Sequence, residues 1–301
     1  YRNDCRNYNA VFYDNKCYDG SFHDCHWCIR GRKGEPIRIE MFCHGALCMA
    51  ISGKCYLSLQ NANRSANRGE CVQICRRGYK AEVLPSYEEQ NVDKDDAQRY
   101  LITDLESGTE LEVDNKYIMS PKDLKTIRFI DRMMRSGVRV FKIEGRARGP
   151  EYVKTVVSCY REAFEAIADG TYGEEKIAEW DERLSTVFNR GFWNGYYLGQ
   201  RLGEWSHIYG SKATEKKFYA AKTMGWYSRI GIGDFQCEAE ELHKGDKILI
   251  IGPTTGVVEV VLDEIQVDYK VVDTVHKGER FTIPVKEKIR PSDKLFVIKY
   301  C

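Results

Sequence analysis

Hydrophobic and polar positions change character twice along this chain. Residues 1–36 are rich in Tyr, Asn, Asp, Cys and His and show neither a helical nor a strand repeat. They read as an irregular leader, foreign to the rest of the chain. From Ile37 the order sharpens. Ile37–Phe42 alternates and predicts a strand, and short β-like runs over Leu101–Val113 flank Ser107-Gly108. Pro121 and Lys122-Asp123 open a predicted helix that runs to Arg135, with Leu124, Ile127, Phe129, Ile130, Met133 and Met134 as its apolar positions. Gly137 ends it, and Val138–Ile143 follows as a buried strand. Gly149-Pro150 starts a helix over Glu151–Ala168 that Gly170 terminates, and a third helix covers Glu174–Val187. This alternation belongs to an α/β fold, either a barrel or a doubly wound sheet.

The second change falls near residue 215. Beyond it the helical pattern disappears. Phe218–Ser228, Gln236–Leu242, Lys247–Ile251, Val257–Val261, Tyr269–Val275, Phe281–Val285 and Leu295–Lys299 are short β-branched runs punctuated by Gly, Pro and charged turns. Even spacing of this kind predicts a small β-barrel. Two similar turns, His243-Lys244-Gly245-Asp246 and His276-Lys277-Gly278-Glu279, hint at an internal duplication. The expected organisation is therefore a leader over 1–36, an α/β domain over 37–215 and a small β-barrel over 216–301.

Composition narrows the function classes. Lys and Arg total 46 against 45 Asp and Glu in 301 residues, so the chain is no polycation and any nucleic-acid surface must be local. No apolar run approaches the length of a membrane span. Tyr1–Asp4 is polar and no signal-like apolar stretch follows, so a cytoplasmic location with reduced thiols is expected.

The 12 cysteines then need a use other than disulfides. Cys48, Cys55, Cys71 and Cys75 stand in one short stretch spaced C-x6-C-x15-C-x3-C. Four thiolates enclose an iron–sulfur cluster, whose ligands lie on loops at uneven spacing, or a zinc ion, which more often takes two tight pairs. Arg64, Arg68, Arg76 and Arg77 crowd the same stretch. They suit an anionic cluster, RNA phosphates or a small anionic substrate. Cys43, Cys159 and Cys237 read as core thiols. Cys25-His26-Trp27-Cys28 is half of a zinc pattern without its second half. His44 with Cys48 lacks a third residue for a thiol-protease arrangement, and neither H-E-x-x-H nor G-x-S-x-G is present. Lys142, Glu144 and Arg146 gather at the end of the Val138 strand, where an α/β barrel carries its active site; a strand-end ion pair is the plainer reading. Asn189-Arg190-Gly191-Phe192, with Trp193, Tyr196 and Tyr197, serves either to stack bases or to pack the core. No catalytic residue is assigned.

Three of these stretches, HGALC…SGKCYLS…NRSANRGECVQICR, FKIEGRARGPEYV and NRGFWNGYYLG, resemble the collagenase-like peptidases of family U32, in particular the branch that hydroxylates tRNA. The resemblance implies a TIM-like barrel followed by a C-terminal β-barrel. It implies a 4Fe–4S cluster on Cys48, Cys55, Cys71 and Cys75, and hydroxylation at C5 of a wobble uridine. Prephenate would serve as co-substrate in place of molecular oxygen, and an electron-transfer partner is expected. His44, Arg64, Arg68, Lys142, Glu144, Arg146 and Arg148 would then contact tRNA or the anionic co-substrate. The family has a longer N-terminal half, so the barrel is expected to be partial and the chain N-terminally truncated. Lys125 stands where relatives often have Cys. Two other readings remain: a peptidase acting on collagen-like substrates, and a zinc-bearing module that binds RNA or protein.

Overall fold

The computed structural model describes residues 38–48, 58, 62–64, 70–76, 100–103, 110–113, 120–146, 148–200, 204–206 and 210–301. The expected leader over 1–36, its Cys25–Cys28 pair, Cys55, Arg68 and Arg77 lie outside the described residues. The chain divides into two compact units, residues 1–144 with 189–212, and 145–188 with 213–301.

In the first unit, β1 (Ile39–Ala46) extends the predicted strand, and β2 (Tyr100–Thr103) pairs antiparallel with β3 (Glu110–Val113). The helix predicted from Lys122 is present only as α1 (Ile130–Arg135); Asp123–Lys125 is instead strand β4. Helical spacing loses here because the backbone donors find distant partners. Lys122 N–H donates to the Glu204 carbonyl at 2.9 Å and Asp123 N–H to the Gly191 carbonyl at 2.8 Å. Both the N–H and the hydroxyl of Thr126 reach the Cys43 carbonyl, at 3.1 and 3.0 Å. After α1, β5 (Val138–Glu144) and the short β6 (Phe192–Trp193) complete a sheet ordered β5–β1–β4–β6.

The β1–β5 and β4–β6 pairs are parallel, as an α/β protein requires, but β1 and β4 run antiparallel. The sheet is mixed, whereas a TIM-like barrel is parallel throughout. A bulge at Cys43 sets two residues of β1 against Ile143 of β5. It breaks the alternation of β1, so Cys43, His44 and Gly45 are all buried in succession. Gly45 has φ +112°, and a Cβ there would lie 2.4 Å from the Glu144 carbonyl oxygen, so only glycine fits.

In the second unit, α2 (Pro150–Ala168) begins at the predicted proline, which supplies a helical φ where no N–H partner is needed. Its buried Tyr152, Val156, Cys159, Tyr160, Ala163 and Ala166 lie along one helical face. Gly170, at φ +70°, ends it. Helix α3 (Glu174–Thr186) buries Ile177, Trp180 and Leu184. The two helices are tied through Glu162, whose carboxylate accepts from Trp180 Nε1 and Arg183 Nη2, both at 2.9 Å.

The later strands are β7 (Glu215–Tyr227), β8 (Ile232–Cys237), β9 (Leu242–His243), β10 (Lys247–Gly252), β11 (Gly256–Val261), β12 (Ile265–Val267), β13 (Lys270–Val272), β14 (Thr274–Val275), β15 (Arg280–Pro284) and β16 (Lys294–Tyr300). Eight form one antiparallel sheet ordered β11–β10–β16–β7–β8–β15–β12–β13; β9 and β14 pair separately. The hydrogen bonding ends at β11 and β13, so the predicted barrel is not closed by strand pairing. One core nevertheless joins all parts of the sheet, with Phe235 stacked 5.4 Å from Phe281 and Ile248, Ile250, Leu295 and Val297 packed around them. The sheet wraps a single interior.

The predicted Gln236–Leu242 run is broken after Cys237, where Glu238 and Ala239 both donate to the Ala220 carbonyl. Strand β12 has no counterpart among the predicted runs, and Asp268 and Tyr269 form a tight turn at φ +48° and +62°. The two HKG turns share one geometry. His243 N–H donates to the Asp246 carboxylate and His276 N–H to the Glu279 carboxylate, each at 2.7 Å, with Gly245 and Gly278 at φ +91° and +93°.

The Glu162 hub yields a pH-dependent prediction. Hydrogen bonding from Arg183 holds its carboxyl below the usual value. Its contribution is therefore present above the unfolded pKa of ~4.3 and is lost as pH falls through the lower folded value. Because the group is partly exposed, Glu162→Gln should cost about 1 kcal/mol at neutral pH. In urea unfolding series, the gap to wild type should close as pH drops below ~4. A gap that stays constant with pH would show that the charge is not the cause.

Candidate functional site

The strand predicted as a helix organises the site. His44 on β1 faces Lys125 on β4, and Asp123 on β4 faces Phe192 on β6. Residues two apart share a face, and so do direct cross-strand neighbours. One face thus gathers His44, Asp123, Lys125 and Phe192. The His44 and Phe192 rings lie 5.5 Å apart, and Lys125 Nζ sits 4.5 Å from the Phe192 ring centroid. Asp123 accepts from Arg190 N–H at 3.2 Å, and its other carboxylate oxygen is 3.7 Å from Arg190 Nη1. Both side chains are over 90 % buried, at 2 % and 8 % exposure, so this ion pair is shielded from water.

The cysteine segments meet this face through Arg76. Ile74–Arg76 is a single 3-10 turn. From it the Arg76 guanidinium donates to the Pro121 carbonyl at 2.7 Å and to the Leu47 carbonyl. Leu47 precedes Cys48 and Arg76 follows Cys75. Nearby, the buried Ser58 hydroxyl accepts from Val72 N–H at 3.2 Å, next to Cys71. One arginine therefore anchors two of the cysteine-bearing pieces through backbone carbonyls.

The thiols divide by environment. Cys48 and Cys71 are exposed and Cys75 half-buried, whereas Cys43, Cys159 and Cys237 are buried. Burial pushes the Cys43 thiol up to about 12 and Cys159 to about 11, and raises Cys237. Those three stay protonated at neutral pH and serve the core, as predicted. Among the described residues no three His, Cys, Asp or Glu side chains are gathered as a metal-holding group. Cys48, Cys71 and Cys75 are available donors of the right chemistry, and Cys55 lies outside the described residues.

The remaining predicted residues are distributed. His44 is buried. Arg64 is exposed, 3.7 Å from Glu70. Lys142 pairs with Glu40 at 3.4 Å rather than with Glu144, and lies 4.9 Å from the Phe42 ring. Glu144 is half-buried at the end of β5. In the second unit Arg146 is exposed, and Arg148 lies 3.9 Å from the Phe188 ring centroid, stacked on its own unit.

A family model described as Peptidase family U32 matches residues 29–207. The chain belongs to peptidase family U32. A protein named collagenase from Porphyromonas gingivalis is 59 % identical over 89 % of this chain and 60 % of its own length. The tRNA hydroxylation protein P1 of Bacillus subtilis is 30 % identical over 86 % of this chain and 58 % of its own length. The 23S rRNA 5-hydroxycytidine C2501 synthase of Escherichia coli is 37 % identical over 44 % of this chain and 16 % of its own. The U32 chain spans about 60 % of the length of the collagenase relative.

Sequence reasoning noted Arg190 and Phe192 but not the face they share with Asp123 and Lys125. The available signal was the polar–apolar–polar order Asp123-Leu124-Lys125, hidden inside a longer helical period. The buried pair generates a stability prediction. Asp123→Asn removes the buried carboxylate that faces the Arg190 guanidinium and should cost about 3–5 kcal/mol in chemical unfolding. Asp123→Leu combined with Arg190→Met should cost well under the sum of the single changes. Additive losses would mean that the two side chains do not act as a pair.

Proposed function

We propose that this U32 chain is part of an iron–sulfur protein that hydroxylates C5 of the wobble uridine in tRNA, in the cytoplasm, with prephenate as co-substrate. The observation that carries the reading is the Arg76 anchor. It joins the backbone beside Cys48 to the turn that bears Cys75, which supports the reading although the Cys48, Cys71 and Cys75 side chains are not gathered into a metal-holding group among the described residues. Exposure of Cys48 and Cys71 leaves their sulfurs accessible, in contrast to the three core thiols. A 4Fe–4S cluster on Cys48, Cys55, Cys71 and Cys75 would supply electron transfer, and the Arg76 cation beside it would favour its negative charge. On the adjoining face, Lys125 over Phe192 offers a cation and an aromatic wall, a combination suited to a small anionic co-substrate with an unsaturated ring. The names of the B. subtilis and E. coli relatives, one directed at tRNA and one at a pyrimidine in ribosomal RNA, support an RNA substrate.

The second reading is a peptidase acting on collagen-like substrates, and the collagenase relative at 59 % identity favours it. Against it, the buried Cys43, Cys159 and Cys237 are held as thiols by desolvation and are poor nucleophiles.

Anaerobic purification of the chain within its full-length protein separates the two. The proposal expects about four irons and about four sulfides per chain, both sharply reduced in Cys55→Ala. It also expects prephenate-dependent 5-hydroxyuridine in tRNA, read by mass spectrometry of digested nucleosides, and the loss of that product in the same variant. Gelatin cleavage that persists in a protein lacking all four cysteines, with no modified uridine, would favour the peptidase instead.

A further inference from the structure

One end of the C-terminal sheet carries a strap whose exposed lysines have no ion-pair partner among the described residues. After β15 the chain crosses this end as Val285-Lys286-Glu287-Lys288-Ile289-Arg290-Pro291-Ser292-Asp293 before entering β16. Val285 and Ile289 point inward, at 1 % and 2 % exposure, and close the core from this side. Lys286, Glu287 and Lys288 point out to solvent.

The strap is held at both ends. Val285 N–H donates to the Gly231 carbonyl at 2.7 Å, and its own carbonyl accepts from Trp226 Nε1 at 3.0 Å. At the far end the buried Asp293 carboxylate accepts from Arg290 N–H at 2.8 Å and from the Thr255 hydroxyl at 2.5 Å. Asp293 occupies space that only Gly252 leaves open, since a Cβ at 252 would fall 1.8 Å from its Oδ1. The exposed lysines therefore ride on a preorganised backbone.

More positive charge adjoins the strap. Lys222 on β7 and Lys294 on β16 are direct cross-strand partners, and both are exposed. Like charges so placed oppose each other at roughly 5 Å between Cβ atoms, a destabilising arrangement. Among the described residues, Lys222, Lys286 and Lys288 have no ion-pair partner, unlike Lys217 with Glu151 at 2.7 Å or Lys247 with Glu215 at 3.1 Å in the same unit. Acidic side chains gather near the turn after β8, at Glu238, Glu240, Glu241 and Glu279, while the strap itself carries a single exposed carboxylate, Glu287, between its two lysines. Beside the basic end, Tyr227 is 52 % exposed, which gives an unpaired base a ring to stack on.

We propose that this strap, with Lys222 and Lys294, is a docking surface for the phosphate backbone of RNA. Unpaired lysines on a fixed scaffold gain from counterion release when they meet phosphates, and that gain offsets the repulsion built into the Lys222–Lys294 pair. An exposed aromatic beside the cations favours a nucleic acid over an acidic protein, which presents no base to stack. The inference rests on the RNA-directed function proposed above and assigns that function a surface in the second unit.

The test is fluorescence anisotropy of labelled tRNA titrated with the full chain across a salt series, with polyglutamate as the competing acidic polymer. Lys286→Gln with Lys288→Gln, and separately Lys222→Gln with Lys294→Gln, should each weaken tRNA binding about tenfold at ~0.1 M salt. Each pair should also reduce the slope of log affinity against log salt by about one to two. Thermal unfolding and iron content should stay at wild-type values. Unchanged affinity and slope in both variants would overturn the surface, as would polyglutamate binding that equals tRNA binding and falls in parallel with it. If tRNA binding falls as expected in a protein that makes no hydroxyuridine, the surface stands and the hydroxylase reading fails. If hydroxyuridine forms and both variants bind like wild type, the reverse holds.

Discussion

The buried pair between Asp123 and Arg190 is the constraint that shapes the first unit. A carboxylate and a guanidinium held away from water are tolerable only when they meet each other and nearby backbone donors. Meeting that condition fixes the β4–β6 contact, because Asp123 is a β4 residue and Arg190 enters β6. It also joins two stretches far apart in the chain. With β4 so placed, its other edge pairs with the end of β1 and sets Lys125 opposite His44. The bulge at Cys43 then completes the arrangement by burying His44 and turning Gly45 against β5.

Arg76 extends the same logic to the cysteine motif. It satisfies backbone carbonyls of Leu47 and Pro121, groups that precede Cys48 and β4 respectively. A neutral side chain would offer fewer donors in a fixed fork, and a lysine would lack the planar geometry. The motif is therefore attached to the β4 face by hydrogen bonds as well as by chain connectivity. This gives the thiols and the His44–Lys125–Phe192 face a common support.

The second unit is organised by apolar packing around one interior, with charge arranged outside it. Its paired ions, such as Glu162 with Arg183 and Arg280 with Asp234, serve local structure. In the basic strap the exposed Lys286 and Lys288 have no carboxylate partner among the described residues, while a buried carboxylate, Asp293, fixes the backbone. The two HKG turns show that a short sequence repeat can be a true conformational repeat: in each, the last carboxylate caps the first N–H and the glycine takes a positive φ that other residues resist.

Elements with local signals were legible in the chain itself. The starts and stops of α2 and α3 were written in Gly149-Pro150, Gly170 and their apolar spacing, and most strands of the C-terminal sheet, though not β12, in their β-branched runs and turns. The three core thiols were legible from apolar neighbours. The rest waited on contacts between distant segments. Whether Asp123–Lys125 became helix or strand depended on hydrogen bonds donated to the carbonyls of Gly191, Glu204 and Cys43, partners up to 83 residues distant for the Thr126–Cys43 contact. The meeting of His44, Lys125 and Phe192, the anchoring of Arg76 and the choice of Glu40 for Lys142 arose the same way. Local propensity records what a segment prefers in isolation, while burial of charge and pairing of backbone groups are settled only when distant segments share one space.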